Sequence, residues 1–137
     1  MRKGAMLATM LAVGLGAGTS PADAKVKLKV TPKTPIVDDA ITVSFKTDRT
    51  LKKGYHYSVA LIGRSGSNCS SFVVKDSQRK PKKGKSMSFS LSPFDDKLAE
   101  APEWCQGKAS ITVSIDKDGT NKGNIVGITE IRFVAKP

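Results

Sequence analysis

The sequence offers little to a nucleophile or a metal. It has one histidine, His56, and two cysteines, Cys69 and Cys105, in 137 residues. A structural zinc site needs four closely spaced ligands of these types, so this is a poor zinc set. A catalytic base needs a nucleophile beside it and a third group to orient it. No motif supplies either to His56. No catalytic or metal-binding residue is therefore assigned, no cofactor is expected, and the chain is read as non-enzymatic.

Long apolar runs are also lacking. Ala5–Gly18 is uncharged and mostly apolar, but its fourteen residues fall short of the roughly 20 that cross a bilayer. Arg2 and Lys3 precede it, Thr19-Ser20-Pro21 breaks it, and Ala22-Asp23-Ala24 has the small-x-small form of a cleavage site. These are the parts of a secretory signal peptide spanning residues 1–24. No cysteine follows the run to carry a lipid anchor. Residues 25–137 are then a single exported domain, secreted or periplasmic, with no transmembrane segment. Its 113 residues can bury roughly two thirds of their unfolded surface.

Negative charge is scarce. The whole chain carries 23 Lys and Arg against 12 Asp and Glu, a net charge of +11. Removing Arg2, Lys3 and Asp23 leaves 21 against 11, or +10 for residues 25–137. Such an excess favours an anionic partner: an envelope polymer, an acidic protein, a lipid headgroup or nucleic acid, the last of which export argues against. The cysteines fit export as well. An even number in an exported chain reads as a disulfide, here Cys69–Cys105, with metal binding as the alternative.

What is abundant is alternation. "KVKLKVT" sets Val26, Leu28 and Val30 against Lys25, Lys27 and Lys29. "AITVSFK" sets Ile41, Val43 and Phe45 against polar residues. "YHYSVALI", "CSSFVVK", "SMSFSLS", "ASITVSID" and "NIVGITEIRFVA" follow. This period of two is the mark of half-buried strands. In the last segment Val126 and Ile128 share one parity and Ile131 and Phe133 the other, which calls for a β-bulge near Thr129 and Glu130. "DKDGTNKG" reads as the hairpin loop before it. In "SPFDDKLAEAPEW", Ser92 suits an N-cap, Pro93 a first helical position and Asp95 and Asp96 a first turn. The expected fold is all-β: a seven-stranded antiparallel β-sandwich with one short helical turn before the sixth strand.

The strand count and "EWCQGKASITVSI" resemble secreted bacterial immunoglobulin-like or fibronectin type III-like domains. The chain departs from true immunoglobulin domains, because Trp104 adjoins Cys105 and Glu103 stands where a tyrosine is usual. The inter-sheet disulfide of those domains is therefore not implied. The resemblance does imply that the third and sixth strands are antiparallel neighbours. That places Cys69, just past the third, beside Cys105, just before the sixth. Trp104 would then pack over the bridge or cap that end of the core.

The surface signal is "KDSQRKPKKGK", from Lys75 to Lys85, assigned to the loop between the fourth and fifth strands. Arg79, Lys80, Lys82, Lys83 and Lys85 are the candidate anion-binding residues, through counterion release. The competing reading is a solvated loop that shields nearby strand edges. No aromatic interleaves the run, which argues against single-stranded nucleic acid, whose bases need stacking platforms.

Other motifs yield less. Asp95, Asp96, Glu100 and Glu103 form an acidic counterpart, read as a polar turn. Asp116 and Asp118 begin a calcium-loop pattern that fails at Asn121 and Gly127, leaving an Asp-Gly turn. His56 lies on the face opposite Tyr55 and Tyr57 and is expected to be half exposed. Small exported copper-binding sandwiches use N-terminal histidines or methionine clusters, and Met87 is the sole methionine after residue 24. Asn68-Cys69-Ser70 matches a glycosylation sequon by chance. The expected function is an exported, non-enzymatic binding or interaction module contacting an anionic envelope polymer or partner through the basic loop. The alternative is a structural or assembly component of the cell envelope acting through sheet edges.

Overall fold

The computed structural model describes residues 26–65, 69–96, 102–120 and 122–137. The expected signal peptide, Asn68 of the sequon and Glu100 lie outside these residues. Seven strands form: β1 (Lys29–Thr31), β2 (Ile41–Lys46), β3 (Tyr55–Ser65), β4 (Cys69–Asp76), β5 (Ser86–Leu91), β6 (Gly107–Lys117) and β7 (Gly123–Phe133). They pair antiparallel in two sheets, ordered β1-β2-β5 and β4-β3-β6-β7. One 3-10 turn, Pro93–Asp95, is the only helical element among the described residues. The expectation of an all-β chain with seven strands in antiparallel sheets and a helical turn before the sixth strand holds.

Alternation decides which faces meet. Ile41, Val43 and Phe45 of β2 and Met87, Phe89 and Leu91 of β5 turn inward. They meet Tyr57, Val59 and Leu61 of β3 and Ala109, Ile111 and Val113 of β6 in one buried cluster. Burying an aliphatic or aromatic side chain of this size contributes about 1.5–3 kcal/mol. Phe45 bridges the sheets: its ring lies edge-on to Tyr57, with centroids 5.3 Å apart, and stacks on Phe89 at 6.3 Å. Tyr57 is fully buried, and its hydroxyl has no hydrogen-bond partner among the described residues.

Three local details follow from chain geometry rather than pattern. The bulge lies between Val113 and Ser114 on β6, opposite Gly127 and Ile125 on β7. It is therefore upstream of Thr129 and Glu130, where the parity change had placed it. The extra residue is Val126, which turns into the core, while Ile128 faces out at 40% exposure. The carbonyl of Val126 accepts the Val26 amide at 2.8 Å. Residues 26–28 thus border the four-stranded sheet, and only Lys29–Thr31 pair with β2. Gly127 makes this crossing possible, since a Cβ there would stand 2.9 Å from the Val26 carbonyl oxygen.

The 3-10 turn is capped as its sequence implies. Ser92 Oγ accepts the Phe94 amide at 3.2 Å, and Asp95 Oδ2 accepts the Ser92 amide at 2.7 Å. This reciprocal pair is a capping box. Asp96 acts differently from a dipole-matched acid: it is buried and accepts the Phe72 amide at 3.1 Å, capping the free edge of β4.

Cys69 and Cys105 form the expected disulfide, with 5.8 Å between Cα atoms. The Cys105 amide donates to Ser71 Oγ at 2.9 Å in a buried site. Next to it, Trp104 is buried, stacks on Phe133 at 5.3 Å and donates its Nε1–H to the Asp39 carbonyl at 2.7 Å. Bridge and indole together fix the entry to β6 against β4 and against the segment before β2.

Two outcomes are expected. Replacing Cys69 and Cys105 together with alanine opens a loop of sequence separation 36 and should destabilise the fold by about 3–4 kcal/mol, read as a lower urea midpoint. Tyr57→Phe should stabilise by about 1 kcal/mol, because it removes a buried hydroxyl without a partner. Burial, and then the nearby Asp48, raise the Tyr57 pKa above 10.0. Below pH 10 the phenol is protonated in both the folded and the unfolded chain. As pH rises past 10 the unfolded chain ionises first, and stability falls. The Tyr57→Phe chain should lose less stability over that range.

Candidate functional site

The loops joining β2 to β3, β4 to β5 and β6 to β7 gather at one end of the two sheets. Their convergence is hydrogen-bonded. Asp118, in the last loop, donates its amide to the Gly54 carbonyl in the first, at 2.8 Å. Thr47 ties the first to the second. Its amide donates to the Lys85 carbonyl at 2.8 Å, and its carbonyl accepts the Gly84 amide at 2.9 Å. Its Oγ1 donates to the Lys82 carbonyl at 2.8 Å and accepts the Lys85 amide at 3.1 Å. Thr50 Oγ1 accepts the Lys83 amide at 3.0 Å. Thr47 is 3% exposed, so it is a buried polar group with both backbone and side chain satisfied.

This strap changes the picture of the basic run. Lys75 and Asp76 belong to β4 rather than to the loop. Lys75 Nζ reaches the Ser90 carbonyl at 2.7 Å and Asp95 Oδ2 at 3.2 Å. Lys80 turns back to Asp118 Oδ2 at 3.2 Å. Arg79, Lys82, Lys83 and Lys85 are exposed, and among the described residues none of them has an ion pair. Lys46, which pairs with Ser86, and Lys52 and Lys53 in the adjoining loop are also exposed. Arg49 is held by its neighbour Asp48, at 2.8 and 2.9 Å. Of the five candidate anion-binding residues, four stand free on a loop whose second half is fixed, and Lys80 is engaged.

Beside this basic rim lies a carboxylate-histidine cluster that the sequence did not reveal as one. His56 on β3 and Asp116 on β6 are cross-strand partners, and Asp76 ends β4 next to them. His56 Nδ1 lies 2.8 Å from Asp118 Oδ1, and Nε2 lies 3.5 Å from Asp76 Oδ1. His56 is 8% exposed rather than half exposed. It does sit on the outer face of the sheet, as its parity requires, but the flanking loops rise around it. The His56 hydrogen bond and then Lys80 hold the Asp118 carboxyl below the usual carboxylate range. Potential ligand atoms of His56, Asp76 and Asp116 all lie within 4.8 Å of one another. A cavity of about 680 Å³ opens beside the cluster, lined by His56, Asp76, Gln78, Asp118, Gly119 and Thr120. Gly119, at φ 78°, lets the chain turn directly after Asp118, in a conformation that side chains with a Cβ disfavour.

The signals that were available are modest. Thr47 continues the inward parity of Ile41, Val43 and Phe45, which marks it as buried. His56 and Asp116 share an outward parity, but only the β3–β6 register makes them neighbours. The described acids of the "SPFDDKLAEAPEW" segment, Asp95, Asp96 and Glu103, are engaged elsewhere. Besides Asp95 and Asp96, Glu103 pairs with Lys136 at 2.7 Å and raises the lysine pKa, mainly through that hydrogen bond. No family model matches the chain, and no curated protein matches it either.

Thr47→Val keeps the shape of the side chain and removes its hydroxyl. The expected cost is about 1–3 kcal/mol. The Lys82–Lys85 segment should become the first site of tryptic cleavage under native conditions, detected by mass spectrometry of limited digests.

Proposed function

We propose that this chain is an exported, non-enzymatic binding module. It contacts an anionic envelope polymer or an acidic protein through the basic end formed by the β2–β3 and β4–β5 loops. The observation that carries the reading is the strapped loop. Arg79, Lys82, Lys83 and Lys85 lack acidic partners among the described residues, yet the backbone of Lys82, Lys83 and Lys85 is tied to Thr47 and Thr50, and the Arg79 amide donates to Ser77 Oγ. Charges on a fixed backbone lose less conformational entropy on binding than charges on a free loop. Their release of counterions from a polyanion then favours the complex.

Export is supported by the signal-like residues 1–24 and by the Cys69–Cys105 disulfide, since such bonds persist in oxidising compartments. No helix among the described residues is long and apolar enough to cross a membrane. An immunoglobulin-like or fibronectin type III-like sandwich is the finer fold assignment we favour. It is supported by the three-and-four division of strands, with β5 joined to β2 and β4 at the far edge beside β3.

The sheet-edge alternative is disfavoured by the edges themselves. Along β7, the Val126 carbonyl is taken by Val26. Just beyond that strand, Val134 exchanges hydrogen bonds with Pro35 and Val37. On β4, Asp96 caps the Phe72 amide. These contacts occupy groups that an added strand would need.

Binding should be measured against polyphosphate, polyglutamate and a neutral polysaccharide at low and high salt. The expected result is binding to one or both polyanions that weakens with salt, and none to the neutral polymer. The Arg79→Gln/Lys82→Gln/Lys83→Gln/Lys85→Gln variant should bind at least tenfold more weakly, with a salt slope shallower by about 3–4. Undiminished binding by that variant would remove the site assignment.

A further inference from the structure

The carboxylate-histidine cluster beneath the basic rim does more than a surface ion-pair network requires. Asp116 is 8% exposed, and its carboxylate has no hydrogen-bond or ion-pair partner among the described residues. Lys80 is engaged with Asp118 at 3.2 Å. Tyr57 Oη is the one buried side-chain polar atom without a partner among the described residues, so the unpartnered Asp116 oxygens reach solvent and are open to a cation. Room for the carboxylate itself is kept by Gly123, the cross-strand partner of Asp116, where any Cβ would collide with Asp116 Oδ1. The sequence therefore places an acid in a near-buried position and the smallest residue beside it.

The histidine is oriented as a ligand would be. With the proton on Nδ1, His56 donates to Asp118 at 2.8 Å, and the Nε2 lone pair faces Asp76. A carboxylate behind the ring fixes tautomer and orientation in metal-bound histidines. The 3.5 Å between Nε2 and Asp76 Oδ1 is too long for a good hydrogen bond. It matches two corners of a tetrahedron around an ion with ligands at about 2.0–2.2 Å, whose edge is roughly 3.3–3.6 Å.

We propose that His56 Nε2 and the carboxylates of Asp76 and Asp116 form a divalent transition-metal site of the zinc class. Asp118, held by Lys80, is the positioning residue behind His56. One imidazole and two carboxylates suit a zinc-class ion, whereas calcium and magnesium prefer all-oxygen sets. Two carboxylates and a neutral imidazole balance the charge of the ion. A fourth coordination position opens toward Gln78 and Thr120 in the cavity, where water or an oxygen of an anion fits. The site goes beyond the anion-binding reading and shares only Lys80 with it.

The test is clean because His56 is the sole histidine of the chain and both cysteines are in the disulfide. Untagged, oxidised protein is stripped with a chelator, then titrated with zinc against a chromophoric competitor. We expect one zinc per chain, not displaced by millimolar calcium, with the His56 Nε2 resonance shifting in nitrogen-15 spectra while Nδ1 keeps its proton. Asp76→Asn and Asp116→Asn should each weaken zinc at least tenfold, and Asp118→Asn by about 10–100-fold. Asp76 is 55% exposed at its side chain, so its replacement leaves the fold intact. Without metal, Asp116→Asn should melt higher than the parent chain and show no further rise with zinc. No stoichiometric uptake, equal displacement by calcium, or undiminished affinity in Asp76→Asn would each overturn the assignment.

Discussion

A strand whose apolar residues alternate has one face to bury and cannot do so alone. Everything else in this protein depends on the two sheets burying those faces against each other. Phe45 marks the centre of that contact, touching Tyr57 across the gap and Phe89 beside it. With a core of single-layer side chains, only loops and outer faces remain for a chain with 23 basic residues. The charge is therefore displaced to the periphery by packing, and the question becomes how the periphery is held. The two ends are held differently. One uses a covalent bridge and a buried indole. The other uses the hydrogen bonds of Thr47, a polar residue placed at the last inward position of β2's parity.

The consequence for function lies in the second end. Hydrogen bonds to backbone atoms fix a loop without using its side chains. Lys82, Lys83 and Lys85 are tied through carbonyls and amides, so their ammonium groups stay available to solvent. An ion-pair strap would have fixed the loop and neutralised it together. Surface ion pairs elsewhere, such as Lys136 with Glu103, are screened by solvent and add little to holding the fold.

Much of the fold is legible in the sequence, because alternation, capping residues and cysteine parity are local signals. The strands from Ile41, Tyr55, Ser86 and Gly107 follow their patterns, and Ser92 and Asp95 cap the turn they imply. What was not legible depends on register. The parity change in β7 has several positions that reconcile it. Val26 selects the one at Val126, by donating to a carbonyl a hundred residues away in sequence (26 and 126). His56 and Asp116 likewise became neighbours only through the β3–β6 pairing. The motif reading of Asp116 and Asp118 as a failed calcium loop looked along the chain, whereas the relevant ligands lie across it. The solvated appearance of the Lys75–Lys85 run had the same origin, since Thr47 is outside it.

The juxtaposition of a carboxylate cluster and a lysine rim has its own electrostatic logic. Asp76, Asp116 and Asp118 lower the local positive potential where, among the described residues, Lys80 is the lysine paired with them. A dication held by His56, Asp76 and Asp116 would cancel two of those negative charges. It would leave the end of the molecule more positive without adding a basic residue. Interactions between exposed charges extend over about a Debye length, roughly 8 Å at physiological salt, so the effect reaches only the nearest loop positions. The metal proposal and the polyanion proposal are thus independent in their ligands but coupled in sign. Metal occupancy should strengthen polyanion binding, and the coupling should fade with salt as the direct lysine contacts do.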